Sequence, residues 1–167
     1  FDFFERSFLP LFRRMGGCAD AVLNKHGFYP MAGGSITLSI MPTEEDKSLH
    51  LPLGGALLSV QASALIANLS RRIADTELEV LRRELNIKPE NSTFIRVEGP
   101  GPGNIVSIFA DAEHVTEVFV GIGKPGLQSE AIAMAAIDQF RDYCETESAA
   151  VCEYLADQLL LPMALSG

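Results

Sequence analysis

The sequence predicts an α+β fold in which a small α/β unit interrupts a larger one. Three observations carry this. Helical periodicity stands at both ends of the chain, over residues 1–15 and 151–161. Extended runs fill most of the space between, without the regular strand-helix alternation of a doubly wound sheet. Gly54-Gly55 marks a break, after which a strand, a helix, three strands and a helix follow, enough elements for a unit of their own.

Taken in order, Phe1, Phe4, Phe8, Leu11, Phe12 and Met15 fall on one helical stripe, and Gly16-Gly17 ends it. Phe3 lies about a third of a turn off that stripe at ~100° per residue, so its ring is expected to face a different neighbour, either core or ligand. Ala21-Val22-Leu23 and the alternating Ser35-Ile36-Thr37-Leu38-Ser39-Ile40 flank a glycine- and proline-bearing segment, the pattern of a hairpin-like return. Gly33-Gly34 within it has no following Lys-Ser or Lys-Thr and no helix, so it reads as a turn and not a phosphate loop. Residues 49–53 alternate briefly. A strand is expected over 56–60 and helix over 63–85, interrupted near Asp75 because Thr76-Glu77-Leu78-Glu79 has the letters of a capping box.

Strands are expected next at 93–98, 105–110 and 115–122. Gly99-Pro100-Gly101-Pro102-Gly103-Asn104 joins the first two and holds no lysine, so it reads as a shaped loop. Ser129-Glu130 should cap a helix that turns Ile132, Ala136, Phe140 and Tyr143 inward, and Ser148 should cap the last helix. Domain boundaries follow: 1–53 and 145–167 belong to a large domain, and 54–144 is a small inserted one.

Composition narrows the function classes. With 167 residues, 47% of them apolar and 21% charged, the chain belongs with folded proteins, and no apolar run reaches the ~18 residues of a membrane span. A net charge of −9 argues against a free-standing nucleic-acid binder held by phosphate neutralisation. Arg13-Arg14, Arg71-Arg72 and Arg82-Arg83 each share their segment with acids and read as mixed solvated faces. Cys18, Cys144 and Cys152 leave one thiol unpaired under any disulfide scheme and show no metal spacing, which points to a cytoplasmic protein. His26, His50 and His114 are scattered, so no metal site is expected. The opening Phe1-Asp2-Phe3-Phe4-Glu5-Arg6 has neither an initiator methionine nor signal-peptide order, and reads as the middle of a longer chain.

The last helix carries the candidate site. Val151, Leu155 and Leu159 recur every four residues as a core stripe, while Tyr154, Asp157 and Gln158 stand at i, i+3 and i+4 and share one flank. A ring, a carboxylate and a two-way amide together suit a nucleoside. The same spacing also describes a solvated helix face.

The run Glu153-Tyr154-Leu155-Ala156-Asp157-Gln158-Leu159-Leu160-Leu161-Pro162-Met163-Ala164-Leu165 resembles a motif near the end of RNA 3′-terminal phosphate cyclases. Asp2-Phe3 with Phe8-Leu9-Pro10, His26-Gly27-Phe28-Tyr29-Pro30 with its glycines, and Gly101-Pro102-Gly103-Asn104 resemble the family in the same order. The resemblance implies an enolpyruvyl-transferase-like α/β-repeat large domain interrupted by a small inserted α/β domain. It implies an AMP-forming ligase that uses ATP and a divalent metal (Mg or Mn) on RNA 3′ ends, closing a 3′-phosphate into a 2′,3′-cyclic phosphate. Carried onto this chain, Phe3 would stack on adenine, Tyr154 would line the pocket, and Asp157 and Gln158 would hydrogen-bond the nucleoside. The adenylated histidine would lie beyond Leu165 and arginine-rich stretches would precede Phe1, so the fragment alone should be inactive. Pro30-Met31-Ala32-Gly33-Gly34 departs from the family's Pro-x-Gly-Gly-Gly at Ala32. Two other readings are a non-catalytic cyclase-like scaffold of ribosome assembly and, on fold alone, an enolpyruvyl transferase, which no motif supports.

Overall fold

The computed structural model describes residues 1–43, 47–146 and 149–166. The chain opens in a π-helical turn, Phe4–Phe8, that continues into α1 (Leu9–Arg14). Pro10 sits in the first turn of α1, directly after the wide turn in which the Leu9 N–H donates to the Phe4 carbonyl. The wide turn changes which side chains point inward. Ser7, Leu9, Leu11 and Met15 are buried, whereas Phe4, Phe8 and Phe12, expected on the core stripe, are half-buried and stack in series at 5.4 and 5.7 Å.

The expected return is present: β1 (Cys18–Lys25) pairs antiparallel with β2 (Ser35–Met41). Ile36, Leu38 and Ile40 share one face with Ala19, Ala21 and Leu23, while on the other Asn24 donates to Thr37 Oγ1 at 2.8 Å. Residues 49–53 form no strand; Leu49 and Leu51 pack half-buried against the core.

β3 (Leu57–Ala67) is longer than expected and occupies residues read as the start of a helix. Ala62 through Ala67 are buried on both faces, and a continuous apolar run carries no period that separates strand from helix. α2 (Arg71–Leu85) starts from Ser70, whose hydroxyl accepts from the Arg72 N–H at 3.4 Å. No break occurs at Asp75: the Thr76 hydroxyl donates back to the Arg72 carbonyl at 3.0 Å, and Glu77 turns inward. Capping letters thus stand in mid-helix, and α2 ends at Asn86, with φ 53°. β4 (Ser92–Val97), β5 (Gly103–Ala112) and β6 (Thr116–Ile122) follow close to the expected positions. α3 (Ser129–Glu145) is capped at Gln128, without a side-chain bond, one residue before the expected cap. α4 (Glu153–Ser166) runs through Pro162 and past the expected end; Ser148 lies outside the described residues.

Strand order is β4-β3-β5-β6, with β3 parallel to β4 and antiparallel to β5. α2 and α3 cover the face that carries Ala64, Ile66, Val106, Ile108 and Phe119. α3 rests directly on β6 at Gly121, where a Cβ would collide with the Ile132 carbonyl. The other face bears Ser63, Leu65, Ser107 and Phe109, and the opening segment lies there, with the Arg6 guanidinium 4.2 Å above the Phe109 ring. Leu11, Met15, Leu155 and Leu159 join the same core, so both ends of the chain pack onto the central sheet unit.

Candidate functional site

α4 is anchored by its apolar stripe. Leu155 and Leu159 are fully buried and Val151 half-buried, which turns the opposite flank outward. Tyr154, Asp157 and Gln158 are all exposed on that flank, Tyr154 at 58%, and the Gln158 amide donates to Asp157 Oδ2 at 3.3 Å. The helix therefore presents a ring face and a coupled carboxylate-amide pair side by side. α4 packs against the opening π-helical turn, and Phe3, half-buried just before that turn, leans on the core that holds Leu155 and Leu159. The two ends do meet, although Phe3, Asp157 and Gln158 line neither of the two cavities beside these elements.

Tyr154 does line one of them. A cavity of about 440 Å³ lies between α3 and the start of α4, walled by Phe119, Gln139, Tyr143, Cys152 and Tyr154. Beneath it, the buried Glu117 carboxylate accepts the Cys152 N–H at 2.6 Å, and the Cys152 carbonyl accepts the first helical bond, from Ala156, at 2.9 Å. A carboxylate from β6 thus satisfies a donor at the entry to α4 that the helix itself cannot. Burial holds Glu117 above the usual carboxylate range, against the pull of that N–H. It pushes the Cys152 thiol and the Tyr143 hydroxyl up to about 12, with the Glu117 charge adding to both, so neither is an acid or nucleophile at neutral pH.

The second cavity, about 300 Å³, separates the β1–β2 hairpin from the sheet. One wall is the glycine-bearing hairpin turn, with Gly27, Phe28 and Gly34, and that turn packs on the loop over residues 99–104. The Phe28 ring fills the place a Cβ on Gly103 would take, Met31 Cγ stands 2.5 Å from a Cβ on Gly101, and Pro100 packs on Gly33. Asn68 clasps the 99–104 loop, donating to the carbonyls of Gly99 at 2.8 Å and Gly101 at 3.2 Å.

Sequence reasoning missed Glu117 and Cys152, which lie in unrelated segments and meet only in three dimensions. It passed over Ser63 and Ser107 because small hydroxyls inside apolar strands carry no pattern. His26 lines the hairpin cavity, while His50 and His114 lie exposed elsewhere. Among the described residues no three His, Cys, Asp or Glu side chains converge to hold a metal ion, and Cys18, Cys144 and Cys152 are free thiols. No described helix is long and apolar enough to cross a membrane.

A mixed sheet with two helices on one face, the chain's ends returning to it, and a terminal helix bearing ring, carboxylate and amide define a mixed α/β protein with an exposed polar flank on its last helix. The chain belongs to the RNA 3′-terminal phosphate cyclase family, whose model matches residues 1–167. It is 44% identical over 99% of its length to an RNA 3′-terminal phosphate cyclase of Pseudomonas fluorescens, covering 48% of that protein. It is 42% identical over its full length to one of Koribacter versatilis, covering 47% of it. The chain thus spans about half the length of these relatives.

Proposed function

We propose that this chain forms the adenosine-binding part of an RNA 3′-terminal phosphate cyclase. The observation that carries the reading is the outward flank of α4: Tyr154, Asp157 and Gln158 stand together on a helix whose other side is locked into the core. Tyr154 would stack on or flank the base, Asp157 would accept from a ribose hydroxyl or base N–H, and Gln158 would donate and accept beside it. Phe3, on the segment that α4 packs against, would supply the second aromatic wall. Residues 1–53 and 145–167 are assigned to an enolpyruvyl-transferase-like repeat domain and 54–144 to an insert. The closed set of elements from β3 to α3 supports this division.

The reaction that fits is AMP-forming. AMP is transferred from ATP to a histidine outside this chain with pyrophosphate leaving, then to the RNA 3′-phosphate with release of the histidine, and the adjacent 2′-hydroxyl loses its proton and attacks that phosphorus with AMP leaving. Splitting one displacement in this way turns a poor leaving group into a good one. A divalent metal is expected from the family. The described residues form no site for it by themselves. Three free cysteines accord with a cytoplasmic location.

The test is covalent labelling of the whole protein with AMP from radiolabelled ATP. Wild type should label, Asp157→Ala should label at least tenfold less, and the 167-residue chain alone should not label. An unlabelled wild type would favour the non-catalytic scaffold, and equal labelling of Asp157→Ala would remove that residue from the site.

A further inference from the structure

We infer that the cavity between the β1–β2 hairpin and the sheet is a subsite for one nucleotide of the RNA strand, on the 5′ side of the reacting end. This rests on the cyclase reading. The cavity's floor is unusual for a sheet face. Ser63 and Ser107 stand opposite each other on β3 and β5, are 5% and 2% exposed, and open into the cavity with hydroxyls that make no hydrogen bond among the described residues. These hydroxyls are not sealed in the core but reach the cavity, where an entering group can meet them. Two adjacent ones facing a void are placed to bond whatever enters it, and each both donates and accepts, which suits a base edge or a ribose hydroxyl.

The walls complete the chemistry. Lys25 is exposed, makes no ion pair among the described residues and lines the cavity with His26, and Asp2 is the single carboxylate in that lining. In a chain of net charge −9 this cation is positioned for a phosphodiester. Phe28 and Phe1 offer apolar surface on which a base can lie. A volume of about 300 Å³ is at the small end of ligand sites and suits one nucleotide, not a run of them.

Position favours the strand over the mononucleotide. Phe1 and Asp2 line this cavity, while Phe3, the next residue, belongs to the proposed adenosine site. None of Tyr154, Asp157 and Gln158 reaches the cavity. The RNA 3′-phosphate must come up to the AMP held beside α4, and Phe1 and Asp2 place the hairpin cavity one residue along the chain from Phe3. The glycines of the hairpin turn serve the same end: a Cβ on Gly27 would strike the Gly34 backbone and shut the loop's closest approach.

The experiment uses the whole protein with a short oligoribonucleotide ending in a 3′-phosphate. Ser107→Leu fills the cavity and Lys25→Ala removes the rim cation from an exposed position where folding is safe. Each should raise KM for the oligonucleotide about tenfold, with labelling by AMP from ATP, a step that needs no RNA, as the internal reference. In the wild type, 4-thiouridine placed next to the terminal nucleotide should crosslink to the 25–36 segment or to β5. Free nucleoside monophosphate should compete with the oligonucleotide only weakly. Unchanged KM in both variants, or crosslinks confined to other segments, overturns the subsite while leaving the cyclase reading intact. Competition by the free monophosphate as strong as by the oligonucleotide makes the cavity a mononucleotide site and overturns the strand assignment. A wild type that neither labels nor cyclises overturns both.

Discussion

The ring of Phe28, from the hairpin turn, occupies the space directly above Gly103, at the start of β5, so closely that a Cβ on the glycine could not coexist with it. Glycine here permits an approach that fastens the hairpin to the sheet. Gly103→Ala should therefore destabilise the protein by roughly 1–3 kcal/mol through overpacking. Phe28→Ala should lose packing of its own, and the double variant should be less destabilised than the sum, because once the ring is gone the methyl has room. Urea denaturation of the four proteins checks this. Strict additivity would mean that the two loops do not touch.

Glu117 and Cys152 form the second fastening, between β6 and the entry to α4. Glu117→Gln keeps an acceptor for the Cys152 N–H and should cost little. Glu117→Leu strands that donor in the interior and should cost about 1–3 kcal/mol. In the whole protein Glu117→Leu should also raise KM for ATP, because Tyr154 lies two residues past the bond, and Glu117→Gln should restore it. Equal ATP affinity in the two variants would show that the bond does not position α4.

Glu77 provides a pH dependence. It is buried on α2, its Oε1 accepts from the Asn104 amide at 2.5 Å, and its Oε2 and the Asn104 Oδ1 are left without partners. Burial raises it from 4.5 to about 7, with the Asn104 bond pulling the other way. A carboxyl raised in the folded state contributes stability that is fully present below about 4.5 and lost as pH rises through about 7. The loss is on the order of 3 kcal/mol, and the upward shift of Glu117 acts in the same direction. Glu77→Gln, whose amide can donate to the idle Asn104 oxygen, should flatten the profile and raise stability at pH 8. Denaturation midpoints at pH 5 and pH 8 measure it, and a wild type equally stable at both would refute the shift.

What the sequence disclosed follows from where local rules decide. Alternation gave β2 of the hairpin but misled at residues 49–53, glycine and proline gave the turns, and the four-residue spacing of Leu155 and Leu159 gave the face of α4. Local rules failed where tertiary burial overrode them. Ala62-Ser63-Ala64-Leu65-Ile66-Ala67 is buried on both sides and so has no period, and Glu77, which lay inside an apparent capping box, is a core residue. The opening helix was right in kind, but a π-helical turn rotated its buried face, which no count at 3.6 residues per turn anticipates. The α4 flank was legible because its letters are contiguous. The Ser63–Ser107 floor and the Glu117–Cys152 bond join residues 44 and 35 positions apart and needed the fold.

Ala32 stands in the hairpin turn in the left-handed region, at φ 54°, with its N–H donating to the Phe28 carbonyl at 2.8 Å. An L-residue with a Cβ is disfavoured there by roughly 1–2 kcal/mol. Glycine removes that strain but gives the unfolded chain more freedom, an offset of about 0.5–1 kcal/mol. Ala32→Gly should therefore stabilise the protein by roughly 0.5 kcal/mol. It should appear as a higher urea midpoint at unchanged slope, since the surface exposed on unfolding is the same. Ala32→Val should go the other way by more, because a branched Cβ is less tolerated at positive φ. The turn borders the hairpin cavity, so in the whole protein the strained Ala32→Val variant should also weaken binding of the RNA oligonucleotide while the glycine variant does not. If glycine and valine left the midpoint equally unmoved, residue 32 would not hold a positive φ in solution, and the hairpin turn would have to relax into another shape.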